Sequence, residues 1–331
     1  MIWNKDIFKE MVKVAIRSPS VHNVQPWKVR YTETGFQLFQ SIKRRLHVGD
    51  PKLHDNDVSL GAFLELCRMH LKTSGLQFSV TSNNAEKYLD YVSRFNLTIS
   101  ECEPETDRLY SYINQRRSYR GLFDFDSSFD SNLLASINID HLKIKWMTGP
   151  VETKKWAKLY DHASSEINQI PGYFKELTDW IRFNKNDPKY FEDGLNAEAL
   201  SLNNTDALFG KILFRVSVFK TLAALKMDKF LITEAPQILS SQGIIAIYVD
   251  KNLTSLEMGA CFARFWLELT SRGLYGCPLS ALVDFTHTKD ILNSLKPSND
   301  TICLNVLRFG KVSDESKIYH SPRLDVSRVI I

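Results

Sequence analysis

A chain of 331 residues is long enough for two ordinary domains, or for one large domain with an internal repeat. Hydrophobic residues make up 44% and charged residues 24%, ordinary globular usage that can bury a substantial core. The net charge is only +4, and no stripe of Lys and Arg interleaved with aromatics occurs, so a nucleic-acid partner is not expected.

The N-terminal "MIWNKDIFKEMVKVAI" is too charged for a signal-peptide core. No apolar run reaches the ~18 residues of a membrane span. The five cysteines are widely spaced, with no C-x-x-C, which reads as free thiols in a reducing compartment. A soluble, cytoplasmic protein with no membrane contact is the expectation.

Residues 4–17 place Ile7, Phe8, Met11, Val12, Ala15 and Ile16 at helical spacing, with Asn4 as N-cap and Pro19 as the stop. The loop "RSPSVHNVQPW" (17–27) follows, richer in polar and turn residues than a simple turn requires. "WKVRYTETGFQLFQ" (27–40) reads as a hairpin turning near Thr34-Gly35. "SLGAFLELCRMHLKTSGL" (59–76) reads as a buried helix with Gly75 just past its end. "GIIAIYVD" (243–250) and "TICLNVLRFGKV" (301–312) read as strands, and "MGACFARFWLELTSRGL" (258–274) as a second long helix.

The two long helices share a frame. Gly61-Ala62 aligns with Gly259-Ala260 and Gly75-Leu76 with Gly273-Leu274, always 198 positions apart. Either one unit is present twice, or two apolar helices coincide. Between them the aromatic, irregular segment near 150–235 has no counterpart and behaves as an insertion, of the kind that often serves as a lid.

There is no G-x-G-x-x-G, Walker A loop, H-E-x-x-H or G-x-S-x-G. His47 and His54 lack further ligands at metal spacing, so no metal site is expected. What remains is "NQRRSYRGLFDF" (114–125). Three arginines that close repel one another and suit an anion such as a phosphate, with Ser118 as an added donor. The alternative is a solvated basic turn pairing with Asp124 and Asp126.

Together, "PSVHNVQPW" and "RRSYR" resemble the paired signature of the flavin mononucleotide (FMN) nitroreductases. The loop precedes the arginines by about a hundred residues, the reverse of the common family order. This is similar to the single-chain, Acg-like twin branch. The resemblance implies an α+β nitroreductase-like fold with two degenerate units forming an intramolecular pseudo-dimer. The units are expected at 1–105 and 106–331, with the lid-like insertion near 171–230.

One composite FMN site is implied. Arg116, Ser118 and Arg120 match the phosphate- and ring-contacting motif, and Pro19, Ser20 and Asn23 the ring-facing loop. Ser280 and Ala281 match a loop facing flavin N5, and Arg323 a late phosphate contact. Asn23 either offers donor and acceptor to the flavin edge or only closes an Asx-turn, Gln25 holds either backbone or ligand, and Trp27 is expected to lie in the core. The implied activity is that of a flavoprotein oxidoreductase, its hydride donor being NAD(P)H or a small organic substrate. The implied protein is a monomer containing its own pseudo-dimer, with further homodimerisation left open. The competing reading is an FMN-sequestering protein with a capped flavin and little turnover.

Overall fold

The computed structural model describes residues 3–82, 87–88, 90–126, 128–224 and 233–331. Residues 225–230 of the expected insertion lie outside the described residues.

Helix α1 (Lys5–Ala15) forms as expected. The Asn4 side chain accepts from the Asp6 and Ile7 amides, and Phe8, Met11, Val12 and Ala15 turn inward. The hairpin β1 (Trp27–Thr32) and β2 (Gly35–Ser41) follows, then α2 (His54–Thr73), β3 (Leu76–Ser82), β4 (Lys87–Tyr88) and β5 (Tyr91–Glu101). Beyond a linker come α3 (Asn132–Ala135), β6 (Leu142–Thr148) and the insertion: α4 (Pro150–Asn168), α5 (Tyr173–Asp179), β7 (Ile181–Arg182), β8 (Leu195–Asn196), α6 (Asn204–Leu213), α7 (Val216–Ala224) and α8 (Ala235–Leu239). The chain then runs through β9 (Gly243–Asp250), α9 (Ser255–Ser271), β10 (Tyr275–Pro278), α10 (Ala281–Asp284), α11 (Thr286–Leu295), β11 (Thr301–Gly310) and α12 (Val326–Val329). The α+β class expected from the sequence is the one observed.

The two main sheets are antiparallel and share one connectivity. The first has strand order β1-β2-β5-β3, with β4 on β5; the second runs β6-β9-β11-β10. In each, the long helix joins the second strand to the third. The two differ between their first and second strands. The first unit crosses there with Glu33-Thr34, the second with residues 149–242. The insertion thus stands where the first sheet has a hairpin turn.

Both long helices start before the sequence pattern suggests. Asp50 accepts from the Asn56 amide at 2.8 Å, and Leu53 turns the chain in a left-handed conformation, so α2 begins at His54. A Thr254–Glu257 capping box starts α9 at Ser255. Their ends match each other: Gly75 and Gly273 both have φ +68°.

α2 and α9 cross at their glycines. A Cβ on Gly61 would sit 2.0 Å from the Leu256 carbonyl oxygen, and one on Gly259 would sit 2.1 Å from that of Val58. Leu256 and Val58 are again 198 apart, so the same shift exchanges the two contacts. That is the signature of a two-fold, isologous interface, here inside one chain. The first core gathers α1, α2 and the first sheet; the second lies between α9 and the second sheet. The C-terminal tail returns to the first unit: Leu324 and Val329 enter its core, and the Ile331 amide donates to Val29 O at 2.9 Å.

Candidate functional site

The loop after α1 is held from several sides. Ser20 Oγ accepts from the Gln25 amide at 3.0 Å. The Gln25 side chain donates to Glu192 O at 2.8 Å and accepts from the Leu324 amide at 2.8 Å. Asn23 Nδ2 donates to Gly194 O at 3.1 Å and Pro322 O at 3.0 Å, while its Oδ1 accepts from Arg323 at 3.0 Å. His22, Asn23 and Gln25 all have positive φ, of 45°, 56° and 51°. Such conformations cost energy for non-glycine residues and persist where neighbours over-determine them.

Gln25 therefore holds backbone. Trp27 is fully buried and stacks on Phe63 at 5.1 Å. Asn23 lines the cavity with its side chain already engaged. Both of its amide hydrogens are engaged by protein carbonyls, so it fastens the loop to the insertion and the tail rather than offering a free donor.

The arginine segment lies along the second sheet. Ser118 bridges to Gly276 of β10, and the Tyr119 amide donates to Gly276 O at 3.1 Å. Fully buried Arg308 of β11 donates to Tyr119 O at 3.3 Å and Gly121 O at 3.1 Å. With its backbone fixed, the segment turns its arginines inward. The Arg116 guanidinium lies 4.7 Å from the Trp266 ring and donates to Arg17 O at 2.9 Å. Arg117 donates to Arg116 O at 2.6 Å and meets His320. Arg323 donates to Ile16 O at 2.7 Å and, more weakly, to the Arg17 and Ser18 carbonyls. Arg120 reaches Ala199 O at 3.3 Å.

Asp124 and Asp126, the alternative partners for these arginines, are taken elsewhere: Asp124 accepts from the Ser313 amide and Asp126 from Lys311. Among the described residues, no carboxylate pairs with Arg116, Arg117, Arg120 or Arg323. Burial, then Arg323 and Arg117, pushes Arg116 well below the usual arginine range. Burial, then Arg17 and Arg117, lowers Arg323 to about 9. Arg117 falls to about 10, again chiefly by burial. Uncompensated guanidinium charge gathered out of water is costly, and an anion placed among these groups would relieve that cost.

Pro19, Ser20, Asn23, Arg116, Ser118, Arg120, Ser280, Ala281 and Arg323 all line one cavity of about 420 Å³. It sits beside the helix crossing. Asp55, Val58, Ser59 and Ala62 line it from α2, at i, i+3, i+4 and i+7, and Phe262 and Trp266 from α9. The insertion supplies the facing wall, including Tyr160, Asn168, Leu177, Phe183 and Phe214.

Arg117 belongs to the arginine cluster that the sequence marks as suited to an anion; sequence reasoning missed Arg17 and His320 as lining residues, and Arg308 as the group that fixes the arginine segment. A lone arginine in the apolar run "CLNVLRFG" was the available signal for Arg308. Asp55 was missed because α2 was expected to begin after it. Burial, reinforced by Asp50, raises Asp55 to about 6. A carboxyl whose folded pKa lies above its unfolded value leaves the native state holding more protons between roughly pH 4 and 6. Stability is thus expected to fall as pH rises through that window. Asp55→Asn should lessen this fall, leaving the part due to the neighbouring Asp284, which burial and then Asp55 raise to about 7, and should stabilise the protein by about 1–2 kcal/mol at pH 7, read from urea midpoints against pH.

No protein-family model matches the chain. Two Mycobacterium tuberculosis proteins, from strains CDC 1551 / Oshkosh and ATCC 25618 / H37Rv, are provisionally named NAD(P)H nitroreductases. Each is 33% identical to this chain over 72 residues, 22% of this chain and 21% of the relative. The match thus spans about a fifth of the length of these curated relatives. Among solved structures, the FMN-dependent nitroreductase NfnB from Mycobacterium smegmatis, in complex with NADPH, overlaps 67% of this chain and 96% of its own at 17% identity and TM-score 0.39. A nitroreductase with bound FMN from Bacteroides fragilis overlaps 68% of this chain and 99% of its own at 12% identity and TM-score 0.36.

Proposed function

We propose that this chain is an FMN-dependent oxidoreductase of the nitroreductase type, whose two degenerate units form one composite cofactor site. A single observation carries the reading: the "PSVHNVQPW" loop, the "RRSYR" arginines, Ser280-Ala281 and Arg323 come from four distant parts of the sequence and line one cavity.

The residues present suit the cofactor. Arg116 and Arg323 have no described carboxylate, and Arg117 Nε is buried without a partner, so a phosphate finds charge and donors already placed. Arg120 is available to offset negative charge on the reduced ring. Ser280 and Ala281 bring the start of α10 to the cavity, where the Leu282 and Val283 amides are already engaged by the Leu279 and Ser280 carbonyls. Bound FMN supplies two-electron redox chemistry, and the protein orients it and excludes water. The electron donor in this reading is NAD(P)H or a small organic substrate.

The purified protein is expected to be yellow, with one flavin per chain. NADH, NADPH or a substrate should bleach its visible band. A protein that binds no FMN would overturn the proposal.

A second reading, FMN sequestration with little turnover, is favoured by how the insertion is fastened. The Glu176 carboxylate of α5 accepts from three consecutive amides of the first unit: His47, Val48 at 3.1 Å and Gly49 at 2.8 Å. Buried Asp193 joins Arg182 at 2.8 Å to Arg44 of the first unit at 2.9 Å. Glu176→Gln is expected to speed FMN release about 10-fold, the worth of roughly 1.4 kcal/mol of charge-assisted bonding. The recovery of flavin fluorescence on dilution measures this. Flavin that stays oxidised under every donor tested would favour sequestration over turnover.

A further inference from the structure

The insertion's face of the cavity has a chemistry of its own. On α4, Tyr160, Ser164, Ile167 and Asn168 stand at i, i+4, i+7 and i+8, so one helix face lines the cavity. Asn168 is 8% exposed, and its Nδ2 donates to Ser164 O at 2.7 Å, which leaves Oδ1 buried with no partner. On α8, which packs against α4, Gln237 also lines the cavity and its Oε1 is likewise buried without a partner. Glu234 lines it too. Its Oε1 accepts from the Tyr160 hydroxyl at 3.4 Å, and Asp161 fixes its backbone through the Glu234 amide at 3.1 Å.

Three acceptor-bearing residues of the insertion therefore line the same cavity, and two of the acceptors have no protein donor. Buried acceptors left this way are costly unless a ligand supplies donors. The rest of this wall is largely apolar, with Ile167, Leu177, Ile181, Phe183 and Phe214 beside the hydroxyls of Ser164, Tyr173 and Thr233. Among the described residues the insertion contributes no basic side chain to the lining. The basic groups all lie at the arginine end, which on the proposed function the FMN phosphate occupies.

We infer that the insertion's wall is a second ligand site, taking a compact apolar or aromatic molecule that carries an amine or similar N–H donor group. The amine would meet Asn168 Oδ1, Gln237 Oε1 and Glu234, and the apolar body would lie against the leucine and phenylalanine side chains. A dinucleotide finds no positive group on this wall for its diphosphate. The inference rests on the reading that FMN fills the arginine end.

The test is calorimetric titration of the FMN-loaded protein with 2-phenylethylamine and with 3-phenylpropionate, with flavin content read from the visible spectrum of each sample. The amine is expected to bind saturably, one per chain, and the carboxylate at least about 10-fold more weakly, as expected where charge faces charge. Glu234→Gln and Asn168→Leu should each weaken the amine about 10-fold while FMN is retained. Absence of amine binding, equal binding of the carboxylate, or variants that lose FMN in place of the amine would overturn the inference. Amine binding by a protein that takes up no flavin would uphold this site and defeat the cofactor reading instead.

Discussion

Arg116→Met and Arg323→Met should each weaken FMN binding about 10- to 100-fold, the range expected for losing charge-assisted bonds to a phosphate. Arg116→Met should also raise the stability of the flavin-free protein, whereas Arg323→Met removes the bonds to Ile16 O and Asn23 Oδ1 together with the charge, so no gain is expected there. Arg116 is buried and Arg323 half-buried, neither with a described carboxylate, and each is pushed below the ordinary arginine range by burial and by neighbouring arginines. Methionine keeps the stem that packs near Trp266 while removing charge that nothing in the chain compensates. Weaker ligand binding with a more stable apo protein marks a site held ready for an anion. An arginine with a purely structural role would give the opposite sign in stability. Thermal unfolding with and without saturating FMN separates the two. At a hundred times its dissociation constant, FMN should stabilise the wild type by about 2.7 kcal/mol and the variants by less.

The second large effect concerns the crossing of α2 and α9. Replacing an interior helical glycine by alanine ordinarily stabilises a helix by about 1 kcal/mol. At Gly61 and Gly259 the sign should reverse, because the new methyl would collide with the Leu256 or Val58 carbonyl. Those contacts are with backbone, which cannot rotate aside. Gly61→Ala and Gly259→Ala are each expected to cost about 3 kcal/mol or more, by an overpacking that spreads the helices. The two losses should be similar, since a shift of 198 residues exchanges the contacts. Their double variant should lose less than the sum, because both methyls push the same helices apart. Urea unfolding of the three variants provides the measurement. A Gly61→Ala protein more stable than wild type would contradict the close crossing.

Much of this arrangement was legible in the sequence because it depends on local pattern. The α1 face, the Asn4 cap, the hairpin and both helix-ending glycines follow from periodicity and from residues with special backbone preferences. The shared frame of the long helices has a three-dimensional counterpart in the exchanged contacts at Gly61 and Gly259. The nine residues marked by resemblance line one cavity because the chain brings the loop, the arginine segment, the start of α10 and the tail to the same place.

What was not legible depends on partners far away in the chain. Asn23 looked free to serve a ligand, yet its partners Gly194 and Pro322 lie 171 and 299 residues on. Arg308 sits in a strand whose neighbours are apolar, and its role shows only once Tyr119 and Gly121 are beside it. The acceptors on the insertion carry no motif, because a face of Tyr160, Ser164 and Asn168 could equally be solvent-exposed. Burial without a partner distinguishes the two cases, and burial is a property of the folded chain.

The most direct test of the central claim is calorimetric titration of the flavin-free protein with FMN and, separately, with riboflavin. One FMN should bind per chain. Riboflavin, which lacks the phosphate that the arginine cluster is proposed to hold, should bind about 100-fold more weakly or worse. Equal affinity for the two flavins, or no binding of either, would contradict the account.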